Sequence, residues 1–230
     1  MVKTILLVTG TVLLSGCDHR DWDRPPQHET KAIELDKSEL VRVELKMGAG
    51  ELRVQGGSSK LAEADFTYNI PGWKPQMEYH STGVRSDLEI FHPPGASPQG
   101  NSRWDIRLND KVLMDVNTHM GAGQARMDLG SLTLRSVQVN IGAGQVDLDL
   151  RGHPTRSYDV QVQGGVGQAN ILLPASVGIT ATASGGIGDI NVRGLENRNG
   201  RWINKSHELD PVTIRVDVKG GVGEIRLVAE

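Results

Sequence analysis

A glycine pair set between alternating apolar residues recurs six times, and this repeat restricts the fold more than any other feature of the sequence. The copies read MGAG, MGAG, IGAG, GGVG, GGIG and GGVG. The first glycine of each pair is Gly48, Gly121, Gly142, Gly165, Gly186 and Gly221, and the second is Gly50, Gly123, Gly144, Gly167, Gly188 and Gly223. The successive spacings are 73, 21, 23, 21 and 35 residues, and a recurring period near 21 is typical of a solenoid.

The apolar positions change parity at every glycine pair. Around Gly142 they are odd-numbered before the pair and even-numbered after it: Val137, Val139, Ile141 and Ala143, then Val146, Leu148 and Leu150. Side chains alternate between the two faces of a strand, so a one-residue shift would turn a flat strand's apolar face outward. We therefore predict a corner at each pair, with positive φ at the second glycine. The residue between the glycines is expected on the inner face: Ala49, Ala122, Ala143, Val166, Ile187 and Val222.

Coils of about 21 residues with inward aliphatic side chains predict an all-β fold, namely a single-stranded parallel β-helix in which each rung pairs with the next. The alternative is an antiparallel β-sandwich, whose turns usually contain Asn-Gly or Asp-Gly and which leaves the change of parity unexplained. The regular array runs over about 110–227. Residues 58–109 are expected to form irregular rungs and loops at its start, and residues 196–211 a surface loop.

The beginning of the chain has the features of a secretory signal. A charged end is followed by an apolar run too short to span a bilayer, and Leu14-Ser15-Gly16-Cys17 resembles the lipobox of bacterial lipoproteins. This predicts a signal peptide at 1–16, acylation of Cys17, a tether at 17–34 and a β-helix domain at 35–230. Cys17 would anchor the protein on the outer, periplasmic face of the cytoplasmic membrane, where Asp18 resembles an inner-membrane retention signal.

Charge and motifs exclude several classes of function. Removal of residues 1–16 leaves 24 basic and 28 acidic residues, a net charge of −4, so a nucleic-acid partner is not expected. The seven histidines have no metal-ligand spacing, and neither a nucleophile elbow nor a phosphate loop is present. We therefore expect no enzyme activity, no catalytic residues, no cofactor and no metal.

Two sets of polar residues are candidates for a contact surface. If the rungs stack in register, Asp128 lies beside Asp149 and Arg126 beside Asp147, which gives either a balanced solvated face or a cation site. The loop 196–211 supplies the second set, Trp202, Arg201 and Lys205. A third column follows the second glycines and is expected to form a ladder at the corner: Glu51, Gln124, Gln145, Gln168, Asp189 and Glu224.

The succession "VLMDVNTHMGAGQARMDLGSLTLRSVQVNIGAGQVDLDLRG" resembles the bacterial toast-rack family and the LiaF-like and adhesin-like envelope domains that share its glycine repeats. The likeness extends over most of residues 35–230. It implies an all-β coil on the outer side of a membrane, without known enzymatic activity. The expected function is a lipid-anchored, non-catalytic scaffold that binds an envelope protein or a glycan. The alternatives are an accessory of envelope-stress signalling and a carbohydrate-active β-helix enzyme.

Overall fold

The computed structural model describes residues 25–94 and 101–230, so the predicted signal sequence, Cys17, Asp18 and the start of the predicted tether lie outside it. Residues 27–33 of the predicted tether 17–34 are not a free linker, because they form a strand that pairs within the sheet. Two short 3-10 helices are present in this part of the chain, Pro71–Trp73 and Lys205–Glu208. The strands are β1 (Gln27–Ile33), β2 (Leu40–Gln55), β3 (Ala62–Tyr68), β4 (Gln76–Ser81), β5 (Arg85–Phe91), β6 (Ser102–Leu108), β7 (Leu113–Asp128), β8 (Leu134–Asp149), β9 (Tyr158–Leu173), β10 (Gly178–Ile187), β11 (Ile190–Arg193), β12 (Glu196–Arg198), β13 (Arg201–Ile203) and β14 (Thr213–Ala229).

These strands form one mixed, open sheet, which confirms the all-β class. Its main path is β1-β3-β6-β2-β7-β8-β9-β14-β10-β13-β12, with β11 on β14, and with β5 on β2 and β4 on β5. Six strands carry the repeats and run parallel to one another, namely β2, β7, β8, β9, β14 and β10. Antiparallel pairs lie at the two ends of the path, for example β1 with β3 and β12 with β13.

The glycine pairs lie in register across the stack. Gly123 is opposite both Gly50 and Gly144, and Gly167 is opposite both Gly144 and Gly223. Each long strand continues across its glycine pair without reversing direction, so the pairs are not the hairpin ends that an antiparallel sandwich requires. The segments after the strands also align, because Leu129 N–H donates to the carbonyl of Asp149 at 2.9 Å.

The order of the last strands differs from the expected succession of rungs. The final strand β14 lies between β9 and β10, so the repeat of Gly186 is at the edge rather than in fifth place. Strand β14 is continuous over Thr213–Ala229 and pairs with β9 from Ile214 to Ala229, whereas β10 and β11 are interrupted at Gly188 and Asp189. An uninterrupted strand in the interior position satisfies more backbone hydrogen bonds than an interrupted one would.

At the corner, the structure differs from the prediction in which residues are buried and which are exposed. The second glycines have φ between 126° and 141°, as expected, and the residues before the first glycines are buried in the first rungs, as at Met47, Met120 and Ile141. The residue between the glycines is exposed instead in five of the six copies, with 56% of Val166, 46% of Val222 and 73% of Ile187 accessible, and Ala49 is half-buried. The glycine pair and the residue between its members are largely accessible to solvent, so the buried face resumes only after the corner, as at Val146.

Each repeat strand has two halves, one before and one after its glycine pair, and we call them its first and second arms. Both arms of β2, the first rung of the stack, are covered by another strand. Strand β5 pairs with the first arm of β2 and β6 with its second arm. The aromatic side chains concentrate here, and the edge of the Phe66 ring meets the face of Trp104 with the ring centroids 5.8 Å apart. This packing closes one end of the aliphatic core that runs between the two arms.

Candidate functional site: a groove along the glycine corners

The glycine positions of the corners carry no side chains, because adjacent rungs approach too closely there to leave room for them. A Cβ on Gly121 would lie 2.3 Å from the carbonyl oxygen of Gly48, and one on Gly144 would lie 1.9 Å from that of Gly123. Such contacts are impossible for a side chain, so glycine is required by close approach at both positions and by positive φ at the second. Gly48 is different, because its Cβ would meet only the ring of His92, at 3.8 Å.

A cleft of about 810 Å³ follows these corners, and we call it the corner groove. Its floor is formed by the first glycines of four adjacent rungs, Gly48, Gly121, Gly142 and Gly165. One side is a row of outward polar residues that lie in register, Lys46, His119, Asn140 and Gln163. With a strand spacing of about 4.8 Å, the groove extends for about 14 Å from β2 to β9.

The end of the corner groove at β2 is closed by Trp73 and His92, whose ring centroids are 5.0 Å apart. His92 Nδ1 accepts a hydrogen bond from Gly48 N–H at 3.1 Å, so the proton of the neutral ring is on Nε2, 3.0 Å from Ser102 Oγ. Burial lowers the pKa of His92 to about 4, and the ring is therefore uncharged at neutral pH. Trp104 Nε1 donates to the same hydroxyl at 3.1 Å, which fixes the cluster.

The polar row supplies hydrogen-bonding groups and little free charge. Lys46 Nζ lies 2.8 Å from Glu89 Oε1 and 3.0 Å from Glu44 Oε1, and these carboxylates raise its pKa. Asn140 and Gln163 offer amide donors and acceptors at the same height on successive strands. The arrangement is suited to an extended, polar, uncharged ligand laid along the corners.

The predicted acidic patch is assembled in register, with Asp128 opposite Asp149 and Arg126 opposite Asp147. Asp147 accepts hydrogen bonds from Gln145 Nε2 at 2.8 Å and from Asn170 Nδ2 at 2.8 Å. Burial would raise the pKa of Asp149, but hydrogen bonds from its neighbour Arg151 outweigh that effect and lower it. No group of three or more metal-ligating side chains occurs within 25–94 and 101–230.

Part of the predicted corner ladder forms. Gln124 Nε2 donates to Gln145 Oε1 at 3.2 Å, as the ladder requires. Glu224 instead accepts a hydrogen bond at 3.0 Å from Nδ2 of Asn191, which is not a member of the predicted column. These bonds tie neighbouring rungs together beside the glycines, in keeping with a structural ladder.

The loop residues lie apart from the acidic patch, at the other end of the stack. Trp202 is opposite Ala181 on β10 and is half-buried against the core, so its indole helps to cover the last rung. Arg201 lines a separate cleft of about 670 Å³ with Arg198, His207 and Arg215. Lys205 begins the second 3-10 helix.

The corner groove was not among the sequence predictions, although a signal for it exists. Lys46, His119, Asn140 and Gln163 each stand two residues before a first glycine, and all are polar. The wall residues Trp73 and His92 lie in the irregular part of the chain, where no repeat fixes their position.

Comparison with known proteins gives a family and a fold. The N-terminal domain of toast_rack, DUF2154, matches residues 22–172. A candidate cell adhesion protein from Clostridium sporogenes is 30% identical, with a TM-score of 0.86 over 90% of this chain and 100% of that chain. A candidate adhesin from Bacteroides fragilis is 10% identical, with a TM-score of 0.32 over 87% of this chain and 97% of that chain. No curated protein matches the chain.

Among the residues that the structure describes, no helix has the length and apolar character needed to cross a membrane.

Proposed function

Since this chain belongs to the toast-rack family, we propose that it is an adhesin-like, non-catalytic protein of the cell envelope. Its stacked strands are a rigid β-helical scaffold that holds a protein or a glycan at its surface. The observation that carries this proposal is the likeness to the candidate cell adhesion protein, which extends over 90% of the chain.

The corner groove is the contact surface that we favour. Its glycine floor has no side chains that would have to move aside, and its polar row repeats at the strand spacing of about 4.8 Å. A polymer with hydrogen-bonding groups at regular intervals could therefore bind without large side-chain rearrangement. Arg201 and Lys205 at the other end, and the acidic patch, remain secondary contact surfaces.

Four titratable groups in and near this surface, His92, Lys46, Asp147 and Asp149, are already engaged, which supports a binding function over a catalytic one. Both ring nitrogens of His92 have hydrogen-bond partners, and Lys46 lies between two carboxylates. Asp147 is bonded by amides and Asp149 by Arg151, so neither is poised to transfer a proton to a substrate.

The test compares two sets of alanine substitutions on the same three strands. The groove variant replaces His119, Asn140 and Gln163, and the matched control replaces the outward residues two positions earlier, Asn117, Gln138 and Gln161. Both are assayed on a glycan array, on purified peptidoglycan and by cross-linking in membranes. We expect binding to fall at least tenfold for the groove variant and to stay unchanged for the control.

Equal binding by both variants would overturn the assignment of the groove. Formation of new reducing ends in any of the glycans, followed by mass spectrometry, would overturn the non-catalytic proposal.

We also propose that Cys17 is acylated and tethers the scaffold to the outer side of the cytoplasmic membrane. The position of Cys17 after an apolar run and two small residues supports this anchor. Strand β1, which lies within the segment predicted as the tether, is at one end of the main path, and β10 lies near the other, so the last rungs would project away from the anchored end.

A further inference from the structure

The two ends of the stack are covered unequally. At the first rung, β5 and β6 pair with the two arms of β2, and His92 binds the corner between them. At the last rung, β13 covers only Thr180 and Ala181 of β10. Residues 182–187 and 190–193 pair with β14 on one side, and no strand of the described chain pairs with the other side of residues 182–193. We call this segment the open edge.

The open edge is apolar at its corner. Ile187 is 73% exposed and Ile190 is 40% exposed. Among residues 182–193, the only charged residues are Asp189 and Arg193. An uncovered strand of this kind, with free backbone donors and acceptors, is a template for pairing with another strand.

The open edge is symmetric about its own corner. It begins at Thr182, directly after the part covered by β13, and ends with β11 at Arg193, so its midpoint falls between Ile187 and Gly188. Because the parity changes at the bend, inward-facing residues lie at matching distances from the midpoint on the two arms. Ala183 on one arm and Val192 on the other both pack against the core, three residues or more from the bend. A bent strand with two equivalent arms can pair antiparallel with a copy of itself.

We infer that the open edge pairs antiparallel with the open edge of a second copy of this chain, about a two-fold axis at the Ile187–Gly188 peptide bond. This register places inner residues opposite inner residues, with Ala183 facing Val192 and Gly185 facing Ile190. It also brings the two exposed Ile187 side chains together beside the axis. The contact is isologous and closes after two copies.

The geometry at the glycines permits this approach. A Cβ on Gly186 would meet the carbonyl of Gly221, and one on Gly188 that of Gly223, so both missing side chains point towards β14. A Cβ on Gly185 would lie 3.9 Å from Ile190 Cδ1, so this position has room on the inner face. At the corner the side that a second copy would meet therefore carries backbone groups and little else.

Charge is compatible with the same register. Arg193 of each copy would lie opposite Thr182, whose hydroxyl binds Asp217 at 2.8 Å. The guanidinium would therefore meet a site with a carboxylate behind it. Asp189 of each copy would face Gly186, which separates the two Asp189 carboxylates by several residues along the pair.

The chain's own amino-terminal tether is a poor competitor for this edge in the mature protein proposed above. Along the second arm, β1 and β11 are separated by eight strand spacings, about 38 Å. The eight residues 17–24 span at most about 28 Å when fully extended. The dimer itself would bury an area at the low end of specific interfaces, so we expect dissociation in the micromolar range.

The test uses the mature chain with Cys17→Ser, so that it can be purified without lipid. Sedimentation equilibrium should give a monomer–dimer equilibrium, and Ile187→Lys should weaken the dimer at least tenfold. Val166→Lys is the matched control, because Val166 has the same position between two glycines and is 56% exposed but lies two strands inside the edge. Both residues are largely exposed, so neither lysine should impair folding.

Disulfide cross-linking tests the register of the proposed dimer. In the same Cys17→Ser background, Ile187→Cys should form a disulfide-linked dimer under mild oxidation, and Val166→Cys should not. A chain that stays monomeric up to millimolar concentration would overturn the inference. So would a dimer that Ile187→Lys leaves intact, or a disulfide yield equal for the two cysteine variants.

Discussion

The ring of His92 is hydrogen-bonded to the backbone of Gly48 at the corner of β2, where no earlier rung is present to pair with it: His92 Nδ1 accepts the hydrogen bond of Gly48 N–H at 3.1 Å. The backbone N–H of His92 donates to the carbonyl of Lys46, also at 3.1 Å. A side chain thereby satisfies the backbone between the two arms of β2, which β5 and β6 leave uncovered. Because an imidazole accepts a hydrogen bond only when it is neutral, this end of the stack is coupled to pH.

The pKa of His92 predicts a loss of stability in mild acid. The pKa is about 4 in the folded protein and about 6.5 in an unfolded chain, so the unfolded state binds more protons between these values. His92 should therefore contribute its full stability above about pH 6.5, and this contribution should fall as the pH decreases towards 4. After allowance for solvent screening of the half-buried ring, the loss is about 1–2 kcal/mol.

Urea unfolding at pH 7 and pH 4.5 measures this loss, with His92→Asn as the reference that cannot be protonated. The difference between the two proteins removes the effect of the other titrating groups. A difference that does not change with pH would contradict the role of the neutral ring.

The close approach of the rungs predicts that two first glycines differ in their tolerance of alanine. Gly121→Ala should lower the free energy of unfolding by about 1–3 kcal/mol, because its Cβ would lie 2.3 Å from a backbone oxygen that cannot move alone. Gly48→Ala should have little effect, since the nearest atom is 3.8 Å away. Thermal unfolding of both variants checks this, and equal losses would mean that the close approach of the rungs is not what requires glycine at position 121.

A gap behind the later corners predicts a stabilising substitution. Gly164 occupies the inner position that Met47, Met120 and Ile141 fill in the first rungs, and a Cβ there would meet only Ile141 Cγ2, at 3.8 Å. Gly164→Ala should therefore stabilise the protein by about 0.5–1 kcal/mol, through a less flexible unfolded chain and added apolar contact.

Gly167→Ala, three residues further on, is the contrasting variant. Its φ is 139° and its Cβ would lie 1.7 Å from the Gly144 carbonyl oxygen, so we expect a loss of about 3 kcal/mol. Denaturant midpoints of the two variants should shift in opposite directions. A destabilised Gly164→Ala would indicate that the gap is too narrow for a methyl group.

The proposed anchor predicts the cell fraction in which the protein is found. The wild-type chain should be in the membrane fraction and should incorporate labelled palmitate, whereas Cys17→Ser should lose the label. Several acyl groups hold a protein firmly in a membrane, so loss of the acyl groups should move most of the protein out of the sedimented membrane fraction. A Cys17→Ser protein that stays with the membrane would contradict the anchor.

The repeat alone was sufficient to predict the corners and their register. Glycine spacing and alternating apolar residues are local properties, and they correctly placed Asp128 beside Asp149 and positive φ at Gly144. The parity argument gave the wrong side for Val166 because it treated the strand as continuing to alternate through the bend. At the corner several successive residues are accessible to solvent, and the simple alternation of a strand does not predict this.

The position of β14 could not be read from the sequence. The pairing of Val222 with both Val166 and Ile187 joins segments 56 and 35 residues apart, and all three rungs carry nearly the same motif. With similar glycines and similar apolar residues, every order of these rungs satisfies the local pattern. The choice depends on total backbone pairing along the whole strand, and the corner groove likewise depends on Trp73 and His92, which no repeat positions.

Insertion of β14 between β9 and β10 also determines when the molecule can be completed. A chain that emerges from the amino terminus can stack β2, β7, β8 and β9 one after another, but β10 then has no place to attach until residues 213–229 arrive. Residues 213–229, which are synthesised after β10, are thus required to complete the stack, and a chain interrupted before them would leave β9 uncovered and β10 without its neighbour. The proposed anchor requires export of the chain across the cytoplasmic membrane, and export in an unfolded state would make the whole sequence available before the strands assemble.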